Sequence, residues 1–161
     1  MSPDTDMKRD FLRHTLATLA YRAGKALRDA PPEFAAYRIG EGARTPVEIL
    51  AHCGDLFDWA YSMAIGNEQW AMATPMAWEA EQERFFAALE RFDAHLASGD
   101  PLEVEPERLF QGPIADALTH TGQLALMRRL ADAPVRGENY FIAAIERGRV
   151  GAAQADPAYE F

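Results

Sequence analysis

The sequence holds a single cysteine, Cys53, among its 161 residues, so no disulfide can form within the chain. A lone thiol suits a reducing compartment, and the chain is expected to be cytoplasmic. No run of about 18 apolar residues is present to span a bilayer. The opening stretch from Met1 to Asp10 is polar and lacks the apolar centre of a secretory signal. Positive charge is in deficit: 16 Lys and Arg stand against 25 Asp and Glu, a net charge of -9. Such a surface repels nucleic acid and anionic lipid, and neither is expected as a partner. H-E-x-x-H, C-x-x-C and G-x-S-x-G are all absent. Gly40 and Gly42 look like the front of a dinucleotide fingerprint, but the third glycine and the βαβ context are missing, so no nucleotide cofactor is expected.

What is present is helical. Leu12, Leu16, Leu19, Ala23 and Leu27 recur at helical spacing and predict a helix from about Met7 to Asp29, stopped by Pro31 and Pro32. Thr45-Pro46-Val47-Glu48 is a helix start: Thr45 can cap, Pro46 suits the first turn and Glu48 closes a capping box. That second helix is predicted to end near Ile65, before Gly66. Thr74-Pro75 repeats the signal and predicts a third helix ending at Gly99. Pro113 is expected to start a fourth, running to about Ala131, with a short turn before it near Glu107 to Phe110. A short extra C-terminal helix is predicted from Asn139 to Arg147, followed by an irregular tail from about Gly148. No repeat or linker divides the chain, so residues 1–161 read as one all-α domain, a four-helix bundle.

Three side chains stand out for chemistry. Asp116 and His120 are four residues apart and project from one face of the fourth helix. His52 lies on the second helix and could complete a set. Two imidazoles and one carboxylate with open positions suit zinc, or non-haem iron, cobalt or nickel.

The text around them is more specific. The fourth helix reads Asp116-Ala-Leu-Thr-His120-Thr-Gly122-Gln123, and the second reads Thr45-Pro-Val-Glu-Ile-Leu-Ala-His52. Together they resemble the DinB-like superfamily, whose last bundle helix carries H-x-x-x-H followed by x-G-Q. The resemblance runs from the first helix to about Gly151. It implies a four-helix bundle of DinB-like type, often a homodimer, with a divalent ion on His52, Asp116 and His120. Zinc or nickel is implied first, with iron, cobalt or manganese as alternatives. Asp116 is a departure, because the family usually has a third histidine there. A carboxylate lowers the net charge of the site by one unit, which favours harder ions and weakens Lewis acidity. Characterised relatives use small thiols, as S-transferases or as isomerases, so a small-molecule thiol and an electrophilic substrate are the implied partners. The resemblance also implies an up-down-down-up order of helices. The connector between the second and third helices is about nine residues and reaches at most ~30 Å, the length of a 20-residue helix, so the sequence leaves that order open.

Each candidate has an ordinary alternative. His52 sits beside an apolar stripe and could be a hydrogen-bonded core residue. Asp116 could serve the start of its helix. Gln123, one turn past His120, could orient it or bond to another helix. Asp55 could orient His52 but is better read as solvent-facing, and Glu48 is assigned to the capping box. His14 is read as a surface or interface residue, His95 as a helix-end cation and Cys53 as small core. Trp59, Trp78 and Tyr140 could line a pocket over the metal or simply fill the core. Arg128 and Arg129 could hold a carboxylate substrate or serve the helix end.

The leading expectation is therefore a metal-binding DinB-like protein, an enzyme if its open metal positions activate water or a thiol. The alternatives are a bundle that dimerises or binds a partner after losing its metal, and an aromatic-lined small-molecule binder without catalysis.

Overall fold

The computed structural model describes residues 3–161. Four long helices carry the fold: α1 (Pro3–Leu27), α2 (Pro46–Ala64), α3 (Trp78–Ser98) and α5 (Ala115–Leu130). A single turn, α4 (Pro106–Leu109), precedes α5 and is joined to it by a π turn over Phe110–Ile114. No strand forms among the described residues, and no helix there is long and apolar enough to cross a membrane.

The start of α2 is built as its sequence dictates. The Thr45 side chain accepts from the Glu48 amide, and the Glu48 carboxylate accepts from the Thr45 amide at 2.6 Å. Gly66 ends the helix region with φ at 72°, in the left-handed range that glycine enters freely. Gly99 does the same after α3, at φ 79°.

Hydrogen bonds at the two ends of the bundle fix the helix directions. At one end, Arg9 near the start of α1 donates to the Leu96 carbonyl at the end of α3, at 3.3 Å, and to that of Asp100 beyond it. The Glu103 amide donates to the Ala64 carbonyl at the end of α2, and Lys8 pairs with Glu107 at the start of α4, both at 3.0 Å. At the other end, Arg128 near the end of α5 donates to the carbonyls of Ala26 and Arg28 at 3.0 Å each. The helices therefore run up, down, down, up, the order that the resemblance implies.

Parallel α2 and α3 force the chain to return along the whole bundle between them. The connector that does so is longer than expected. Thr74-Pro75 does not start α3: the helix begins at Trp78, with Ala77 as an N-cap that makes no side-chain bond. Residues 65–77 are thus free to span α2, whose 19 residues are about 28 Å long. The amides of Ala73 and Met76 are taken by the carboxylates of Asp55 and Glu81, which holds this stretch out of helical form.

Two further expectations are corrected. The fourth long helix does not begin at Pro113, because winding starts at Pro106 and continues through it. Proline lacks an amide hydrogen and crowds the carbonyl four residues back, and the wider π turn around Pro113 accommodates both defects. The C-terminal helix predicted for Asn139 to Arg147 reduces to one 3-10 turn, Tyr140–Ile142. The chain beyond it is tied down by other means. Glu138 bridges to Glu160, and the Phe161 amide donates to the Gly137 carbonyl at 3.0 Å. The Phe161 ring lies so close to Gly137 that an added Cβ would meet it at 2.7 Å.

The core lies where all four long helices meet. Leu16, Leu19, Phe57, Phe85, Leu89, Phe92 and Leu124 are fully buried there, with the Phe57 ring 6.1 Å from that of Phe85. Trp78 belongs to this core, edge-on to Phe34. With α2 and α5 antiparallel neighbours, His52 faces the start of α5 across a helix–helix seam.

Candidate metal centre

The capping box sets where α2 begins, and hence which of its faces carries His52 toward α5. The π turn sets the register of Asp116 and His120 on α5. The three side chains meet. His52 Nε2 lies 3.4 Å from Asp116 Oδ2, and His120 Nε2 lies 3.4 Å from Asp116 Oδ1. One donor atom from each residue falls within 4.8 Å of the other two. The imidazole rings stand perpendicular, with centroids 4.9 Å apart.

These distances suit an ion. Metal bonds of about 2.1 Å at tetrahedral angles place neighbouring donors about 3.4 Å apart. The donor set, two imidazoles and a carboxylate, also fits a divalent transition metal. The two imidazoles are well covered, with side-chain exposures of 18% for His52 and 12% for His120, whereas Asp116 is 45% exposed. The site is therefore backed by the bundle and opens to solvent beside Asp116.

Asp116 is no helix cap. Because α4, the π turn and α5 run without a break, the amides ahead of it are already inside a helix, and the Ala115 amide has carbonyl partners there. Its position between two imidazoles is what remains to explain the residue. His120 is oriented by its own helix. Its Nδ1 lies 2.8 Å from Gln123 Oε1, an atom that can only accept, so Nδ1 carries the hydrogen and the Nε2 lone pair faces Asp116 and His52. This is the second-layer contact usual for a metal-binding histidine. Gln123→Ala is expected to leave the fold intact and weaken metal binding by about 10–100-fold, read by calorimetric titration. An unchanged affinity would assign the contact to packing alone.

Burial pushes the His52 pKa below its ordinary value, against the opposing hydrogen bond to the Asp116 carboxylate, and the Arg44 charge and the neighbouring His120 push it further down. The ring is thus held neutral, the form that binds metal. Below about pH 6.5 the unfolded chain takes up a proton at this position that the folded chain refuses, so stability falls as pH drops toward the folded pKa. Urea melts of chelator-treated protein at pH 7.5 and 5.5 are expected to show a larger loss for the unaltered protein than for His52→Gln. Equal losses would remove His52 as the cause.

An aromatic wall flanks His52. The Trp70 ring, carried by the connector, lies edge-on at 6.0 Å from it, and Trp59 of α2 lies edge-on at 5.5 Å from Trp70. The Trp59 indole donates to Glu68 at 3.1 Å. Further along the same seam is a cavity of about 450 Å³ lined by Trp59, Met63, Glu68, Arg108, Gln111 and Gly112. It starts one helical turn before Asp116.

No family model, curated protein or solved structure matches the chain. The site therefore rests on its own geometry.

The other candidates fall elsewhere. Asp55 neither orients His52 nor faces solvent: it is buried and paired with Arg84. His14 is exposed, and His95 packs edge-on to Tyr61 at 5.9 Å. Cys53 is buried, which pushes its thiol pKa far up and leaves it unreactive. Tyr140 packs on α1 against Tyr21, under the Arg22 guanidinium at 4.2 Å. Arg128 is buried on backbone carbonyls and cannot reach a substrate, and Arg129 is exposed. Trp70 is the residue that pattern reading missed. It sits in a polar connector, and only the return path along the bundle brings it to His52.

Proposed function

We propose that the protein is a DinB-like, divalent-metal-binding helical bundle that acts as an enzyme on a small electrophile, by thiol transfer or isomerisation. The observation that carries this reading is the convergence of His52, Asp116 and His120 at ligand spacing. The helix order and the Gln123 contact add support. An ion held there, zinc or nickel first, would lower the pKa of water or of a thiol bound to it. The thiol would come from solution, because Cys53 is buried and its thiol stays protonated. His52 and His120 would hold the ion from the covered side, leaving the Asp116 side and the neighbouring cavity for the electrophile. A homodimer belongs to this reading, with the exposed apolar residues Met7, Phe11 and Phe110 available for contact.

The test is elemental analysis of the purified protein, followed by titration of chelator-treated protein with zinc, nickel and manganese. One ion per chain, lost in His120→Ala, is the expected result, together with metal-dependent consumption of a chromogenic electrophile in the presence of a small thiol. Absence of stoichiometric metal, or the same metal content in His120→Ala, would sink the metal assignment. Sedimentation velocity checks the dimer.

One observation favours a second reading, a bundle without chemistry. His52 Nε2 lies within hydrogen-bond distance of Asp116, and His120 Nδ1 within that of Gln123, so each imidazole has a polar partner without an ion. That reading predicts an identical melting temperature with and without added metal.

A further inference from the structure

Glu81 is completely buried, and Asp55 nearly so. Buried carboxylates are costly unless paired and fully hydrogen-bonded. Both are paired with one cation. Arg84 contacts Asp55, reaches Asp58 at 2.9 Å and Glu81 at 3.3 Å, and donates to the Ala51 carbonyl at 3.2 Å. Asp55 accepts from the Ala73 amide at 3.2 Å, and Glu81 accepts from the Met76 amide at 2.9 Å. Both amides belong to the extended connector, and three residues before Ala73 that connector carries Trp70 against His52.

We propose that Asp55 and Glu81 are positioning residues: with Arg84 they clamp the returning connector and so hold Trp70 as a fixed wall beside His52. Residues 65–77 are all exposed, so the connector has few apolar anchors of its own. Before Trp70 it is tied to α2 by the Asn67 amide on the Ser62 carbonyl at 2.9 Å and the Gln69 amide on Ser62 Oγ at 3.0 Å, and after Trp70 by the bonds to Asp55 and Glu81. Without the clamp, Trp70 would be held from one side only, the backbone after it would sample many conformations, and ordering it on demand would cost conformational entropy. Held in advance, the Trp70 ring gives the site a fixed apolar boundary beside His52 for a small substrate. This inference rests on the metal-site reading for its consequence, but the clamp itself is a property of the metal-free chain.

Amide-resolved NMR separates the two. The Trp70 indole signal is assigned by its loss in Trp70→Phe, and the Trp78 indole signal, from the core, reports an intact fold. Ala73→Pro removes the donor to Asp55 without touching a core side chain, and Asp55→Ala removes the acceptor. In metal-free protein each variant is expected to move the Trp70 signal toward that of an unstructured tryptophan, with its order parameter falling from about 0.85 to below about 0.6, while Trp78 stays in place. Asp55→Asn, which keeps an acceptor oxygen, is expected to restore most of the order. A Trp70 signal unmoved in both Ala73→Pro and Asp55→Ala would overturn the clamp. Cobalt is then added: broadening of the Trp70 signal in the unaltered protein, reduced at least about twofold in Ala73→Pro at equal cobalt occupancy, is the expected outcome. Failure of cobalt to bind the unaltered protein would strike the metal reading and leave the clamp to be judged on the metal-free spectra.

Discussion

Asp116→Ala is expected to abolish stoichiometric binding of a divalent ion, weakening it by more than about 100-fold, beyond what loss of an outer contact such as Gln123 would cause. Asp116 is the only carboxylate in the cluster, and each of its oxygens lies 3.4 Å from one imidazole. Removing it leaves two neutral nitrogens from different helices and no negative charge to balance the ion. Asp116→His is expected to keep binding and to shift preference toward zinc over manganese, because imidazole is the softer donor. Calorimetric titration with both metals reads both outcomes. Retained affinity in Asp116→Ala would show that the ion sits elsewhere. The fold should tolerate either change, since the residue is 45% exposed and caps nothing.

Arg128→Leu is expected to destabilise the protein by about 2–4 kcal/mol, the range for breaking hydrogen bonds to a charged group and orphaning buried acceptors. The guanidinium donates to the carbonyls of Ala26 and Arg28 at the end of α1, to Asp29 just beyond it, and to Ala133 after its own helix. A helix end leaves its last carbonyls unpaired, and a planar fork of donors can serve several of them together. Burial lowers the Arg128 pKa, yet the side chain stays charged at any accessible pH. Arg128→Lys is expected to recover less than half of the loss, because one ammonium cannot span acceptors on two sides. Arg129→Leu, at an exposed position, should stay within about 0.5 kcal/mol. Urea denaturation distinguishes the three. If Arg128→Leu were as stable as Arg129→Leu, the residue would be free for a substrate after all.

These two residues show how far pattern reading reaches. Asp116 and His120 were legible as a pair because helical spacing alone puts residues four apart on one face. His52 was legible as a candidate through the resemblance of Thr45 to His52 to a metal-bearing helix of the DinB-like superfamily, but its meeting with Asp116 depends on α2 and α5 being antiparallel neighbours. Arg128 carried two open readings, and a long-range fact decided between them: the end of α1 lies beside the end of α5. Asp55 was misread because a charged residue on a helix looks solvent-facing until its partner is known. That partner, Arg84, lies 29 residues away on α3.

Local chemistry explains what the sequence determined by itself. Caps, prolines and apolar stripes act within a few residues, so the four long helices and the stop at Gly66 follow from neighbours along the chain. The late start of α3 at Trp78, the π turn that absorbs Pro113, and the wall made by Trp70 do not. Each arises because parallel α2 and α3 force the chain back across the bundle, or because the chain must enter α5 in a register that brings Asp116 to His52. Such demands are set by contacts between residues far apart in sequence, whose closure is settled only when the whole core packs. The sequence alone determined the helices and put Asp116 and His120 on one face; the tertiary structure decided that His52 joins them in a group that could hold an ion, and what stands beside it.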